Sequence, residues 1–430
     1  MDYMQTLEVL PLLKLSGVLL LAYLAVSSFA TWYRLRHLRG PILARFSYFY
    51  MLRILNGDHG KRYHNLYDEY GGDSFLRIGP NDLLENSIIE KNVDEQLEKL
   101  VALIRGKYIS TESEFRPLDL APTAIFFAVD TISRIAFGTA FGNLDEGLGI
   151  HSFHEFAKAA TMKGSTFSEI PWLGKVFFYP PVLRLIGPKV TDKKGVGMFM
   201  RFANEIVMKR TDPNAEDKKD MLGSFIRHGV SPEQCKAEIV FQILAGSDTT
   251  AHAIRATMLN IITSPRVYVK VRAEIDAAIA DGRMPSSPAR AEEVKQLPYM
   301  QSVIREGLRF SPLAPTTALI QKQVPPEGDT FSTCHLSTCD TFDGHFLPGG
   351  TRIAVNILSI QRSEAVFGQD SDCSGKPVAM LELNNVFVEL LRHFDFELVS
   401  PQSPWKSMNY TLYVVSDFWV RVTEKYCDNY

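Results

Sequence analysis

The sequence predicts a mainly α-helical protein with small β-sheets, and three kinds of stretch carry that expectation. The central one spans residues 233–263. Ser231, Pro232 and Gln234 form a helix start: a Ser N-cap, Pro at the first helical position, and Gln three residues after the Ser to close a capping box. Ile239-Val240-Phe241-Gln242-Ile243-Leu244-Ala245-Gly246 is then apolar on nearly every side, as in a helix that crosses a core. Further helices are expected at 94–107, 130–140, 264–280, 297–310 and 378–393, with shorter ones in 48–70. Residues 74–80 alternate in polarity and end in Gly79-Pro80, which predicts a strand.

Within the central helix the polarity changes abruptly at Ser247-Asp248-Thr249-Thr250, before Ile254, Met258, Ile261 and Ile262 resume the apolar stripe. An acid and hydroxyls inside such a helix are costly unless they are used or partnered. Gly246 lets something flat approach the backbone, and the Thr hydroxyls can bond back to carbonyls one turn earlier and bend the helix. Two readings stay open on these residues alone. One is a kinked core helix whose polar groups satisfy one another; the other is a reactive site built into the helix.

The composition is that of an ordinary globular protein: 46% hydrophobic, 22% charged, net charge −3 over 430 residues, so nothing is basic enough to suggest nucleic acid. Five cysteines at irregular spacing argue against a disulfide framework and for a body in a reducing, cytosol-facing compartment. Residues 15–33 are apolar or small throughout, which matches the roughly 20 residues needed to cross a bilayer. Arg34, Arg36 and Arg39 follow, so the positive-inside rule places everything downstream on the cytosolic side. The expected organisation is a lumenal segment 1–14, a transmembrane helix 15–33, a basic linker 34–46 with Gly40-Pro41, and a body 47–430. Aromatics and prolines crowd 168–188, which reads as a loop either tucked into the core or dipping into lipid.

Cys373-Ser374-Gly375-Lys376-Pro377 stands just before the amphipathic stretch 378–393. A Cys at a helix N-terminus faces free N–H groups and the positive end of the dipole, which favour a thiolate; the plain alternative is a buried, inert Cys. Glu306 and Arg309, three apart, share a helix face and can pair. Cys334, His335, Cys339 and His345 fit no closed zinc template.

Taken together, these segments resemble the cytochromes P450. Ala245-Gly246-Ser247-Asp248-Thr249-Thr250 is similar to the oxygen-activating motif of that family. Glu306 and Arg309, between Leu297-Pro298-Tyr299-Met300 and Ser311-Pro312, resemble its E-x-x-R helix. Gly344-His345-Phe346-Leu347-Pro348-Gly349-Gly350-Thr351 looks like the hairpin before the haem region, and Cys373 with Gly375 matches the ligand position. The likeness runs from Pro41 onwards and is nearest to fungal microsomal pisatin demethylases and benzoate hydroxylases.

The resemblance implies a P450-like helical fold with an N-terminal membrane anchor. It implies haem (iron protoporphyrin) with Cys373 as thiolate axial ligand, and Ala245 and Gly246 making room for dioxygen. Asp248 and Thr249 would relay protons, Lys322 would contact a propionate, and Glu306 and Arg309 would form a buried pair supporting the ligand loop. It also implies NADPH-cytochrome P450 reductase as electron donor, O2, and a small apolar substrate in secondary metabolism. The protein would sit in the endoplasmic reticulum membrane as a single-pass protein. Two family segments have no counterpart: the Trp-x-x-x-Arg region after Asp82, and the Arg-containing loop with the Phe-x-x-Gly-x-Arg pattern before Cys373. Residues 331–342 look inserted between two family-like strands. A degenerate P450-like membrane protein without haem or activity is therefore the alternative.

Overall fold

Asn86–Lys107 (α1) and Leu120–Phe137 (α2) are the first long helices of the computed structural model. It describes residues 86–149, 164, 166–167, 170–193, 195–212, 214–311, 376–409 and 412–425, scattered positions between 15 and 36, and the backbone of four strands between 321 and 354. α1 begins at Asn86 rather than at 94. α2 begins at Leu120 rather than 130, because Pro122 falls in the first turn, where its missing N–H is not needed. The Asp119 carboxylate caps α2 by accepting from the Ala121 N–H, and Gly138 ends it at φ 75°, a conformation that suits glycine.

After the short α3 (Asn143–Glu146), the aromatic stretch expected as a loop forms two helices, α4 (Pro171–Phe177) and α5 (Pro180–Ile186). Each has Pro in its first turn, where Pro starts a helix instead of breaking it. Trp172, Val176, Phe178, Tyr179, Leu185 and Ile186 are exposed, so these side chains are not tucked into the core. Then come α6 (Gly195–Arg210), α7 (Met221–Arg227), the central α8 (Pro232–Ile262), α9 (Pro265–Ala280), α10 (Ala291–Val294) and α11 (Pro298–Phe310). The capping box predicted at Ser231 and Gln234 is present. α12 (Lys376–His393) precedes the last strands.

Four helices close a ring: α1 packs on α2, α2 on α8, α8 on α12, and α12 back on α1. Leu97, Ile104, Phe127, Ile254, Val386 and Phe387 fill its middle, each buried side chain contributing about 1.5–3 kcal/mol. The cavity left among them, lined by Leu100, Phe127, Ile254 and Leu390, measures only about 10 Å³, which is packing imperfection and not a cofactor site.

A three-stranded antiparallel sheet, β1 (Leu118–Asp119), β9 (Trp419–Glu424) and β6 (Phe394–Leu398), covers one end, with Leu118 opposite Val420 and Phe396 opposite Val422. β7 (Lys406–Asn409) and β8 (Tyr413–Ser416) form a hairpin. β4 (Thr341–Leu347) pairs with β3 (Asp329–Ser332), and β5 (Arg352–Ala354) pairs with β2 (Gln321–Gln323). Of the expected hairpin at 344–351, residues 344–347 belong to β4 and 348–351 lie outside the described residues; of the stretch read as an insertion, 331–332 belong to β3 and 341–342 to β4. The expected strand 74–80, most of the linker 34–46, and Cys334, His335 and Cys339 lie outside the described residues.

Among the described residues, α2 is the helix long and apolar enough to cross a membrane, and 78% of it is buried, which marks a core helix. The described residues of 15–33 are helical, with Leu15, Val18, Leu19, Tyr23 and Phe29 exposed. Arg36 lies over the Tyr33 ring at 4.0 Å.

Candidate active site

Mid-way along α8 the core helix opens on one side. Ile239, Ile243, Ser247 and Thr250 are buried, whereas Phe241, Ala245 and Thr249, spaced four apart and so stacked on one face, are exposed. Phe241 leaves 66% of its surface free, an unfavourable state for a large apolar side chain on a helix flanked by packed neighbours. The Thr249 hydroxyl donates to the Ala245 carbonyl at 2.8 Å, the back-bond expected of it. Ser247 makes the same bond to Ile243.

Gly246 points elsewhere. A Cβ there would stand 2.7 Å from Ile132 Cγ1 of α2, so its smallness lets two core helices approach each other. In the direction of its missing Cβ the room at Gly246 is taken by Ile132, while Ala245 and Thr249 are exposed.

The polar residues do not merely satisfy one another. Asp248 accepts from Arg255 Nη2 at 3.1 Å, and Arg255 Nε donates to the Ala251 carbonyl at 2.9 Å. Burial lowers the Arg255 guanidinium below its usual value, opposed by the Asp248 carboxylate and by Asp119. His252 Nε2 donates to the Ser311 carbonyl at 3.1 Å, and its ring stacks on Tyr413 with centroids 5.5 Å apart. Burial, then Arg255, holds this imidazole down to about 3, so it is neutral. Thr250 donates to Glu382 of α12 at 3.0 Å rather than to its own helix. Burial pushes the Glu382 carboxyl up to about 8, so it is protonated at neutral pH.

Glu306 and Arg309 pair as expected, but the pair is not buried: 53% of the Glu306 side chain and 24% of the Arg309 side chain are exposed. α11 turns Met300, Ile304 and Gly307 inward, which leaves Glu306 on its outer side. The bond to Arg309 holds the Glu306 carboxyl below its ordinary value. Cys373 and Gly375 lie outside the described residues, as does the Lys322 side chain; the Lys322 backbone pairs with Ile353.

The residues of α8 fit the expected cofactor. An open, largely apolar strip with one small residue and one hydroxyl suits the face of a flat group, and α12 begins at Lys376, three residues after Cys373. Sequence reasoning missed Arg255, Glu382 and Ile132. The signal for Arg255 was its place seven residues after Asp248, two turns along the same face of an otherwise apolar helix.

Comparison with known proteins agrees with this geometry. The family model described as cytochrome P450 matches residues 81–372, ending just before Cys373. Cytochrome P450 monooxygenase ABA1 of Pyricularia oryzae is 33% identical over an alignment of 509 residues, covering 96% of this chain and 97% of that protein. Cytochrome P450 monooxygenase aba1 of Botryotinia fuckeliana is 39% identical over 370 residues, covering 78% of this chain and 70% of that protein. The fold is shared with the crystal structure of a cytochrome P450 (CYP102L1), at TM-score 0.59 and 18% identity, with 79% of this chain and 78% of that one covered. The haem domain of cytochrome P450DA gives TM-score 0.57 at 16% identity, covering 79% and 74%. With its helical ring, its open central helix and these relatives, the chain belongs to the cytochrome P450 family of monooxygenases.

Proposed function

We propose that this chain is a membrane-anchored haem-thiolate monooxygenase that inserts one oxygen atom from O2 into a small apolar molecule in fungal secondary metabolism. The observation that carries the reading is the exposed Phe241–Ala245–Thr249 strip on a core helix, with Asp248, the residue before Thr249, paired to the buried Arg255. Haem, when bound, supplies the oxygen-activating and oxygen-transferring chemistry, with electrons from NADPH-cytochrome P450 reductase. Cys373 would hold the iron as a thiolate favoured by the N-terminus of α12, and Gly375 would keep the backbone close there.

Ala245 leaves space above the strip, and Phe241 lines it with apolar surface, which favours an apolar substrate and excludes water. Because the Thr249 hydrogen is committed to the Ala245 carbonyl, the free capacity of its oxygen is as an acceptor. That oxygen can hold a water, which Asp248 would supply with protons from behind. Lys322 as a propionate contact rests on its position in the family pattern alone, as does the narrower likeness to pisatin demethylases and benzoate hydroxylases. The run 15–33 followed by Arg34, Arg36 and Arg39 supports an endoplasmic reticulum anchor with the body in the cytosol.

The second reading, a P450-like membrane protein without haem, draws on the exposed Glu306–Arg309 pair and the sequence before Cys373. The 509-residue alignment to a chain of 430 residues supports shortened segments. The deciding experiment is the spectrum of the reduced, carbon-monoxide-treated protein. A red-shifted Soret band in the wild type that vanishes in Cys373→Ala is expected, since no nearby hydroxyl is a comparably donating ligand. Wild-type protein that folds by circular dichroism yet takes up no supplied haem would establish the second reading instead.

A further inference from the structure

Arg255 is fully buried, a rare state for a guanidinium, and its bonds to Ala251 and Asp248 both stay within its own helix. Nε donates to the Ala251 carbonyl while Nη2 of the same planar fork donates to Asp248 Oδ1, so the two bonds together orient the guanidinium. The seven-residue interval places the two side chains on one face of α8, two turns apart. Behind Arg255 stands Asp119, itself pinned by the N–H groups of Ala121 and Phe418. The Arg255 end of the pair is thus buried, and the Asp248 side chain, 13% exposed, belongs to the residue just before Thr249 of the open strip.

We propose that Arg255 is a positioning residue for proton delivery: it fixes the Asp248 side chain through Oδ1 in one orientation, one residue before Thr249. This rests on the reading of Asp248 and Thr249 as the proton-delivering pair. Stability alone does not explain the arrangement, because well-packed apolar side chains often replace a buried ion pair without loss. A carboxylate that must face a partly open strip in a single rotamer does need an anchor, and a rigid fork held at its base supplies one.

The test measures product formed per NADPH consumed from pH 6 to 8, together with substrate-binding spectra, in the haem-loaded protein. Arg255→Gln should lower coupling about tenfold with substrate affinity nearly unchanged. Arg255→Lys, which keeps the charge but loses the anchor on Ala251, should lose about two- to threefold. Asp248→Asn should be uncoupled at every pH. Of the neighbouring titratable groups, Asp119 acts on Arg255 and Arg255 on His252, and both are present in every variant.

A readout without haem accompanies it. Thermal unfolding of the unloaded chain should show Arg255→Gln destabilised and the Asp248→Asn/Arg255→Gln double variant partly restored. Additive effects in that cycle would overturn the inference. So would wild-type coupling and pH profile in Arg255→Gln while Asp248→Asn is uncoupled, an outcome that leaves the function reading intact. Full coupling in Asp248→Asn would instead remove the proton-delivery reading, and this inference with it. If Arg255→Gln does not fold, Arg255→Lys decides: unchanged coupling counts against the proposal.

Discussion

The Thr250 hydroxyl donates to the buried Glu382 carboxyl over 3.0 Å, joining α8, which bears the open strip, to α12, which lies just after Cys373 in the chain. One side chain oxygen of Glu382, Oε1, has no hydrogen-bond partner among the described residues. A charged carboxylate in that position would be poorly solvated, which is why the proton stays on to about pH 8.

The sign of that shift sets the pH dependence of stability. The unfolded chain releases the Glu382 proton near its ordinary value of 4.5 and the folded chain near 8, so between them the folded state holds one proton more. The stabilisation is complete below the lower value, declines as pH rises, and is gone above the upper one, at a slope of up to about 1.4 kcal/mol per pH unit. Glu382→Gln keeps an acceptor for Thr250 and cannot ionise. Its thermal midpoint relative to wild type should climb from pH 5 to 8 and level off beyond; a difference that stays constant over this range would contradict the buried, protonated carboxyl.

Gly246→Ala tests the packing of α8 on α2. The added Cβ would meet Ile132 at 2.7 Å, and overpacking of a tight core costs about 1–3 kcal/mol. Ile132→Ala removes the obstructing atoms, so Gly246→Ala should cost markedly less in that background. Equal costs in both backgrounds, measured by chemical denaturation, would mean that the clash is relieved elsewhere.

The central helix was legible because its punctuation is local: Ser231, Pro232 and Gln234 announce its start without help from tertiary structure. The helices α4 and α5 were not, since Pro171 and Pro180 can break a helix or begin one, and the residues downstream of each decide which. Asp248 and Thr249 stood out as polar groups in an apolar run, but their partners did not. Arg255 could have been found from its phase along the helix, whereas Glu382 is 132 residues from Thr250 and only packing brings them together. The Glu306–Arg309 pair could be foreseen from its spacing, and its exposure could not, because burial depends on what lies against α11. At Gly246 the sequence shows that something approaches closely, and only packing shows that Ile132 is one such neighbour.

Thr249→Ala and Asp248→Asn should depress product formation far more than substrate binding. A positioned proton donor or acceptor contributes about 10²–10⁴-fold, and the loss should appear chiefly as NADPH oxidised without product. Ser247 and Thr250 differ in this respect: both hydroxyls are buried and committed, to Ile243 and to Glu382. Thr250→Val should therefore lower stability and leave coupling near wild type. Equal uncoupling in Thr249→Ala and Thr250→Val would contradict the division of labour between the two hydroxyls.

The membrane reading makes the last prediction, and two separate surfaces enter it. The run 15–33 is long enough to span, and no short amphipathic patch matches the strength of such an anchor. Full-length protein should sediment with membranes and stay there in high salt, and deletion of residues 1–39 should release it. The second surface is the pair α4–α5, where Trp172, Val176, Phe178, Tyr179, Leu185 and Ile186 are exposed together with Lys175 and Arg184. Apolar side chains interleaved with basic ones suit the boundary between acyl chains and headgroups. The truncated chain should therefore retain weak, reversible binding to phosphatidylcholine vesicles carrying some anionic lipid, measured by flotation. Trp172→Ala with Leu185→Ala should abolish most of that remaining binding, because buried apolar area is what drives it. Full-length chain that is soluble without detergent would end the anchor reading. Truncated chain whose vesicle binding ignores both substitutions would clear α4–α5 of any contact with lipid.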